Sequence, residues 1–335
     1  MRRTMIKYIF CFVDKDEDGL FRDLTLEKNK QLIDFLPSHK LFNNILMTTI
    51  EKTALSYKLN MRMQVPFQSV FYNLDNYPYE SSNLYRIIMP TTSISKFSLK
   101  YLETFKKKHP NVELYALLTD SMNAASPHLN LVRDKLFSQV WKAVLTYDAY
   151  DAEQFGFNYY GYLCYSLFDD VEPCTVTSDV YYVGFDKGDR AKTVEEAYDY
   201  LSHNCNCKFD VVTKDKEKLT NTSGLKYQIS KIPYREVVAR TRATNCVLEI
   251  LQKNQLTQSL RWFEAIAYNK KLLTNNKNIV NMPYYNPETM RYFESMDDID
   301  VQWIKEKRPI DYGYHGEFSP INLIRFIDSL TLKTE

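Results

Sequence analysis

The feature that most constrains the fold of this chain is the alternation of short apolar runs with longer amphipathic segments. Residues 6–13, apolar except for Lys7, have the length of a buried strand, and so do residues 112–118, apolar except for Glu113. Between such runs, as at residues 94–105, apolar side chains recur at the spacing of a helix. Two parallel strands need a connection of about a dozen residues. The alternation therefore predicts βαβ units and parallel sheets, which define an α/β fold.

The alternation occurs in two successive sets. In the first set we predict strands at residues 6–13, 85–89, 112–118 and 143–146, and helices at residues 25–35, 94–105 and 129–140. In the second set we predict strands at residues 180–184, 209–212, 246–251 and 271–274, helices at residues 193–201, 233–242 and 259–268, and a final helix at residues 321–330. Thr193 and Glu196 have the spacing of a capping box at the start of the first of these helices. Two sets predict two α/β domains with a cleft between them.

The predicted domain organisation has four parts. They are a first domain, an interdomain crossover, a second domain and a C-terminal helix, at residues 1–150, 151–178, 179–320 and 321–335. The join is aromatic and acidic, with Tyr147-Asp148-Ala149-Tyr150-Asp151 followed by Tyr159-Tyr160, and it lacks the composition of a flexible Gly/Ser linker. We therefore expect a packed crossover.

Composition and charge argue against several classes of protein. Lys+Arg 43 against Asp+Glu 42 leaves a formal net charge of +1, so the chain lacks the basic excess of a dedicated nucleic-acid binder, and we expect no nucleic-acid partner. The chain contains no run of eighteen apolar residues, so we expect no membrane-spanning helix. Met1-Arg2-Arg3 precedes an apolar run that meets acidic residues 14–18 without a small-residue cleavage site, which predicts a first strand and not a signal peptide.

The six cysteines predict free thiols. Cys205 and Cys207 are too close together for the usual metal-binding pair, and no second pair follows them. Free and mostly buried thiols are typical of a reducing compartment, which predicts a cytoplasmic protein.

Loops that follow strands are the first place to look for a site, because open α/β sheets bind ligands at the carboxyl ends of their strands. The full dinucleotide fingerprint and the P-loop are both absent, which argues against a dehydrogenase or a kinase. The loop after residues 180–184 contains Gly184, Lys187, Gly188 and Arg190. Two glycines and two cations beside a helix start can hold a diphosphate, and a polar surface turn is the alternative.

The segment richest in candidate chemistry follows the predicted strand at residues 246–251. A polar loop ending in Gln258-Ser259 leads into a helix N-terminus, whose free N–H groups suit an anion. Arg261 lies in the first turn, where a cation opposes the helix dipole unless it answers a bound phosphate. Glu264 lies on the same side of the helix, where its carboxylate can bind both hydroxyls of a ribose. The alternative is an Arg–Glu pair on the surface of an amphipathic helix.

These residues resemble the donor-site segment of bacterial GT-B glycosyltransferases, and most closely the capsular and exopolysaccharide, lipopolysaccharide-type transferases of low-GC bacteria. The resemblance rests on Ser259-Leu260-Arg261, Glu264-Ala265-Ile266 and the run at residues 270–276. Matches of the same kind are Tyr182-Val183-Gly184, Asp186-Lys187-Gly188, Pro233-Tyr234-Arg235-Glu236-Val237, Tyr284-Tyr285-Asn286-Pro287 and the interdomain segment at Tyr147-Asp148, Asp151-Ala152 and Phe155-Gly156-Phe157. The similarity covers residues 140–330 well and the first half only in outline.

The resemblance implies a GT-B fold, in which two Rossmann-like domains face a cleft. The first domain then binds a glycan or lipid-linked glycan acceptor, and the second binds a nucleotide-diphosphate sugar. The donor-binding residues it implies are Gly184, Lys187, Arg190, Tyr234, Thr257, Gln258, Ser259, Leu260, Arg261 and Glu264. It implies no cofactor and no metal, because a helix dipole and cations hold the diphosphate. Peripheral association with the inner face of the cell membrane and a homo-oligomer are compatible with this assignment.

Two features of the sequence stand apart from the family pattern. Thr257-Gln258-Ser259 occupies the loop where the family usually has a glycine, which makes close approach of the backbone to a phosphate harder. Asp14-Lys15-Asp16 and Asp298-Ile299-Asp300 match the letters of the metal motif of the rival transferase fold. Such matches are expected by chance in a chain with 42 acidic residues, and we expect no metal site.

The catalytic base is left open by the sequence. An inverting transferase needs a carboxylate or a histidine to take the proton of the acceptor. Candidates after strands of the first domain are Asp16, with Asp14 and Asp18 beside it, Asp120 and His128. Asp120 is equally suited to cap a turn, and His128 to a structural role at a helix start. A retaining enzyme would need none of them.

The predicted function is transfer of a sugar from a nucleotide donor to a surface polysaccharide or its lipid-linked precursor. The missing loop glycine motivates an alternative, a non-catalytic GT-B-like subunit that supports a partner transferase. A third hypothesis is a polysaccharide-binding module that uses the 26 tyrosines of the chain. Turnover of a nucleotide sugar distinguishes the first hypothesis from both of the others.

Overall fold

The computed structural model describes residues 5–12, 20–26, 32–40, 44–56, 59, 68–122, 127–222, 224–252 and 258–332. The chain divides into two compact units. The first unit comprises Met1–Ser166 together with Phe318–Glu335, and the second comprises Leu167–Glu317. The residues predicted as an interdomain crossover, 151–178, are thus shared between the two units.

The first unit is built on a six-stranded parallel sheet with the strand order β2-β1-β3-β4-β5-β6. Its strands are β1 (Ile6–Phe12), β2 (Ile33–Pro37), β3 (Leu84–Pro90), β4 (Val112–Leu117), β5 (Trp141–Thr146) and β6 (Asn158–Tyr159). Its first six helices are α1 (Arg22–Leu26), α2 (Ile45–Ala54), α3 (Thr91–Ile94), α4 (Leu99–Lys108), α5 (Pro127–Leu136) and α6 (Ala149–Phe155).

Both faces of this sheet are buried, which is why its strands read as continuous apolar runs. Successive residues of β1 belong to different cores, with Ile9 and Cys11 in one cluster and Phe10 and Phe12 in another. Since side chains alternate across a strand, the two clusters lie on opposite faces.

The second unit contains a seven-stranded sheet with the order β13-β12-β11-β7-β8-β10-β9. Its strands are β7 (Ser178–Phe185), β8 (Cys207–Val212), β9 (Thr220–Asn221), β10 (Leu225–Gln228), β11 (Thr244–Glu249), β12 (Lys271–Thr274) and β13 (Met290–Tyr292). Its helices are α7 (Arg190–Ser202), α8 (Tyr234–Ala243), α9 (Leu260–Ala267) and α10 (Val301–Lys305). Every neighbouring pair is parallel except β9 with β10. The predicted parallel sheets are therefore confirmed in both units.

The last helix, α11 (Pro320–Leu332), belongs to the first unit. Leu323 and Ile327 pack into the cluster that contains Phe10. The buried Arg86 of β3 bonds to Asp328 of α11 and to Glu113 of β4, the latter at 3.1 Å. Apolar packing and the ion pair of the buried Arg86 with the half-exposed Asp328 therefore hold the C-terminal helix against the sheet.

Three sequence predictions of local structure are wrong. The predicted helix at residues 25–35 is instead a helix ending at Leu26 and a strand, β2, that pairs with β1. Phe35 explains the error, because it packs against Phe10 and Phe12 at ring distances of 5.9 and 5.8 Å, a contact that a local pattern does not reveal. The predicted helix at residues 94–105 is divided into α3 and α4, since Ser98 caps a new helix by accepting a hydrogen bond from the backbone N–H of Tyr101.

The predicted capping box at Thr193 and Glu196 is the third error. Helix α7 already begins at Arg190, three residues before Thr193, so both residues lie inside the helix. The last turn of α4 contains Lys106, Lys107 and Lys108, where cations suit the helix dipole.

All six cysteines lie within the described residues as free thiols, and five of them are buried, as predicted. Within the same described ranges, no helix has both the length and the apolar character needed to cross a bilayer.

Candidate functional site

The candidate site lies at the carboxyl edge of the second sheet, where β11 leads into α9. Ser259 is the N-cap of α9, and its Oγ accepts a hydrogen bond from the backbone N–H of Arg261 at 3.1 Å. The same hydroxyl donates to Oε1 of Glu249 at 2.5 Å. The start of the helix is therefore tied to the end of the strand that precedes it.

Glu249 joins three elements of the second unit. It is the last residue of β11 and is 1% exposed, and its Oε2 accepts a hydrogen bond from the Thr274 hydroxyl at the end of β12, at 2.5 Å. Burial raises the pKa of Glu249, while the hydroxyls of Ser259 and Thr274 oppose that shift. The sequence predicts no role for Glu249, although a single carboxylate inside the apolar run at residues 246–251 is a usable signal for a buried polar group.

The predicted pair of Arg261 and Glu264 is buried, which rules out the alternative of an exposed surface pair. Arg261 Nη2 donates to Glu264 Oε1 at 2.6 Å, with side-chain exposures of 12% and 0%. The hydroxyl of Tyr234, at the start of α8, donates to the same carboxylate oxygen at 2.7 Å. Burial raises the pKa of Glu264, and the charge of Arg261 and the Tyr234 hydrogen bond oppose this shift. These three residues form what we call the carboxylate cluster (Tyr234, Arg261 and Glu264).

The second carboxylate oxygen of Glu264 is buried and has no hydrogen-bond partner among the described residues. The Tyr181 hydroxyl of β7 is also buried without a partner in that part of the chain. Burial raises the pKa of Tyr181, with Asp210, Arg261, Arg240 and Glu264 as the charges that act on it. The carboxylate cluster is thus part of a larger buried polar region that includes Tyr181 of β7.

Asp210 and Arg240 form a second buried ion pair in this region. Asp210 of β8 is 0% exposed and accepts a hydrogen bond from Arg240 Nη1 of α8. Arg240 also bonds to Glu236 one turn earlier in the same helix. Neither the ion pair nor Tyr181 is predicted from sequence, because the partners come from elements that are far apart along the chain.

The predicted phosphate loop after β7 leads into α7, whose first residue is Arg190. Burial raises the pKa of Tyr182, and the charges of Arg190 and Arg261 oppose this shift. Arg190 Nη2 donates to the carbonyl of Phe185 at 2.9 Å. Lys187 is exposed. The charges of the two predicted parts of the donor site therefore act on one buried side chain, that of Tyr182.

Gly184 lies against the same tyrosine. A Cβ at this position would be 2.4 Å from the Tyr182 hydroxyl, well inside contact distance. A larger residue at position 184 would therefore need the Tyr182 ring to move, so this close approach, and not an unusual φ, favours glycine.

Three predicted site residues lie partly or wholly outside the described residues. Thr257 and Asp16 lie wholly outside them. For His128, the structure describes the backbone in α5 but not the side chain. Gln258 precedes the N-cap, with its Oε1 buried and without a partner among the described residues, and Leu260 is the first residue of α9.

A buried carboxylate lies in the first unit near Asp120, at a position that the sequence assigns to the interdomain segment and not to a catalytic role. Asp120 follows β4 and is partly buried. Asp151 of α6 is 0% exposed, and its Oδ2 accepts a hydrogen bond from the backbone N–H of Met122 at 2.8 Å. Burial raises the pKa of Asp151 to about 6, while the Met122 hydrogen bond opposes the shift and Asp148 adds to it. No role in catalysis is assigned to either residue by this geometry.

No protein-family model matches the chain, and no curated protein matches its sequence. Solved structures match its fold. An alpha-glucosyltransferase in complex with UDP-glucose and DNA containing an abasic site is 11% identical, with 98% of this chain and 100% of that chain covered at a TM-score of 0.53. An alpha,alpha-trehalose-phosphate synthase (UDP-forming) from Burkholderia vietnamiensis is 8% identical, with coverage of 97% and 96% and a TM-score of 0.50.

A third match is an alpha,alpha-trehalose 6-phosphate synthase from Burkholderia multivorans, at 6% identity, with coverage of 97% and 95% and a TM-score of 0.50. Identities this low show the fold and not the activity. The fold is α/β with two Rossmann-like domains, the GT-B fold of glycosyltransferases, as the sequence predicted.

Proposed function

We propose that this protein is a glycosyltransferase that moves a sugar from a nucleotide-diphosphate donor to a surface-polysaccharide or lipid-linked glycan acceptor. The observation that carries the proposal is the carboxylate cluster, buried beside the N-terminus of α9 at the carboxyl edge of a Rossmann-like sheet. Ligands of open α/β sheets bind at this edge.

The donor diphosphate is assigned to the cationic part of the site. The N–H groups at the start of α9 and the guanidinium groups of Arg261 and Arg190 supply positive charge near Tyr182. A partly buried cation interacts with phosphate more strongly than one in water, because the local dielectric constant is lower. The same charges stabilise the diphosphate as it leaves the sugar.

The ribose of the donor is assigned to Glu264. One of its carboxylate oxygens is held by Tyr234 and Arg261, which fixes the orientation of the group. The other oxygen has no hydrogen-bond partner among the described residues, so it is suited to accept from a ribose hydroxyl. A ligand that satisfies a buried polar atom gains affinity, since an unsatisfied one costs about 1–3 kcal/mol.

We propose that the donor site works without a divalent metal ion and without a cofactor. Its charge comes from arginines and helix N–H groups, which neutralise a diphosphate without help from a cation in solution. Nucleotide stabilisation that persists in EDTA would support this proposal. A strict need for magnesium or manganese would contradict it.

For the acceptor we favour a glycan, and we place the protein in the cytoplasm or at the inner face of the cell membrane. The resemblance of residues 140–330 to polysaccharide transferases supports this choice. One solved transferase of the same fold is in complex with DNA, so DNA belongs in the acceptor test. A formal net charge of +1 gives this chain little electrostatic advantage with a polyanion, which favours the glycan.

A non-catalytic subunit remains the second candidate, because Thr257-Gln258-Ser259 lacks the glycine that the family usually carries. The deciding experiment measures hydrolysis of nucleotide sugars, and their transfer to glycan and DNA acceptors, in EDTA. Turnover of one donor supports the transferase. Binding of a partner transferase without any donor binding or turnover supports the subunit.

A further inference from the structure

The second unit contains a cavity that the proposed donor site does not use. Its volume is about 360 Å³, and it is lined by Leu167, Asp169, Pro173, Arg242, Ala267, Tyr268, Asn269 and Lys270. Helices α8 and α9 end at Ala243 and Ala267, just before β11 and β12 begin. The cavity therefore lies at the amino edge of this sheet, opposite the edge that carries the carboxylate cluster.

One wall of the cavity is a segment that we call the strap (residues 167–173), where the chain enters the second unit. Arg242 Nη1 donates to the strap carbonyls of Phe168, Asp169 and Val171 at 3.3, 3.1 and 2.6 Å. The hydroxyl of Tyr268 accepts a hydrogen bond from the backbone N–H of Phe168 at 3.1 Å. The wall is therefore held in place by the protein itself, so a ligand would meet a preformed surface.

Two cationic side chains share this cavity. Lys270 Nζ donates to the backbone carbonyl of Arg242 at 2.7 Å, so the ammonium group of Lys270 lies against Arg242. Among the described residues, no carboxylate forms an ion pair with either cation. Asp169 is the acidic residue in the lining of the cavity. Its neighbour Asp170 lies outside the lining and is paired with Arg235 at 3.1 Å.

The electrostatics of Lys270 reflect this arrangement. Burial lowers the pKa of Lys270, and the charge of Arg242 lowers it further. Two cations in a partly buried cavity favour the binding of an anion between them. The anion would offset both the repulsion between the two cations and their loss of hydration.

We propose that this cavity is a binding site for a small soluble phosphomonoester. Arg242 and Lys270 supply the charge for a phosphate dianion, and Pro173, Ala267 and the Tyr268 ring supply an apolar wall for the organic part. Small-molecule sites are typically about 300–1,000 Å³, so the volume suits a small metabolite and not a whole nucleotide sugar. The proposal does not rest on the donor site or on the proposed function.

The test is a calorimetric titration of the full-length protein with phenyl phosphate and with inorganic phosphate at constant ionic strength. Lys270→Gln should weaken binding about tenfold or more, since it removes a charge-assisted contact. Lys305→Gln is the matched control, because Lys305 also donates to a backbone carbonyl, that of Asn204 at 3.1 Å, but lies outside the cavity. It should bind as the native protein does.

Two further variants keep the test decisive if Lys270→Gln does not fold. Asp169→Asn removes the acidic side chain of the lining and should tighten phosphate binding severalfold. Arg261→Gln alters the donor site and should leave phenyl phosphate binding intact. The proposal is overturned if the native protein binds neither probe, if Asp169→Asn binds no tighter, or if Arg261→Gln abolishes binding while Lys270→Gln retains it.

Discussion

The Ser259 hydroxyl donates a hydrogen bond to the buried carboxylate of Glu249 at 2.5 Å while it caps helix α9. One side chain thus links the end of β11 to the helix N-terminus that we assign to the donor diphosphate. The geometry of this helix N-terminus therefore depends on Glu249, a carboxylate to which we assign no contact with the diphosphate.

Ser259→Ala should therefore cost more than loss of an ordinary cap. We expect the free energy of unfolding to fall by about 2 kcal/mol or more, because both the cap and a hydrogen bond to a buried carboxylate are lost. Ser98→Ala is the matched control, since Ser98 caps α4 by accepting from the Tyr101 N–H at 3.3 Å. Its cost should be about 1 kcal/mol. Equal losses in urea unfolding would show that the Glu249 link contributes nothing.

Gly184→Ala should disturb the candidate site through Tyr182. The new Cβ would lie 2.4 Å from the tyrosine hydroxyl, so the buried ring must move. We expect a loss of stability of about 1–3 kcal/mol and weaker nucleotide binding. Gly224→Ala is the control, because its Cβ would lie at the same 2.4 Å from the Tyr198 hydroxyl, on a different tyrosine. If both variants bind nucleotide like the native protein, Gly184 has only a packing role.

Arg86→Met should loosen the C-terminal helix. Arg86 is 3% exposed and bonds to Glu113, Asp328 and the Thr331 hydroxyl, so its removal breaks three charge-assisted hydrogen bonds. Because Asp328 is half-exposed and Glu113 keeps Lys142 at 3.5 Å, we expect a loss of about 2 kcal/mol in the free energy of unfolding. Arg325→Met, which removes an exposed arginine of the same helix, should change stability by less than about 0.5 kcal/mol. Comparable losses in thermal unfolding would contradict the proposed anchoring.

Asp151 should make stability depend on pH. Burial raises its pKa to about 6 from an ordinary value of 3.8, so the folded protein holds a proton that the unfolded chain has released between these values. Its contribution to stability therefore falls as pH rises from about 4 to about 6. Asp151→Asn should match the native protein near pH 4 and exceed it at pH 7, by at most about 3 kcal/mol. A difference that stays constant between the two pH values in urea unfolding would refute this assignment.

Sequence patterns predicted the parts of the fold that depend on local periodicity. The strand at residues 246–251 and the helix at residues 259–268 were placed within two residues of β11 and α9, because a buried strand, a polar loop and a capping serine leave local signals. Arg261 and Glu264 were placed on one side of that helix for the same reason.

The other parts of the site come from contacts between distant residues. Tyr234 of α8 bonds to Glu264 of α9, and Arg240 of α8 bonds to Asp210 of β8, so neither contact follows from spacing along the chain. The false helix at residues 25–35 has the same origin. A helical spacing of apolar residues was overruled by the packing of Phe35 on the rings of β1.

The most direct test of the central claim is the dissociation constant of UDP, measured in EDTA for the native protein, Arg261→Gln and Glu264→Gln. We predict that the native protein binds UDP and that each variant binds it about 10–100 times more weakly while remaining folded, because each loses a charge-assisted hydrogen bond. Circular dichroism checks that the variants are folded. Unchanged affinity in both folded variants, or no nucleoside diphosphate bound by the native protein, would contradict the assignment of the donor site to the carboxylate cluster.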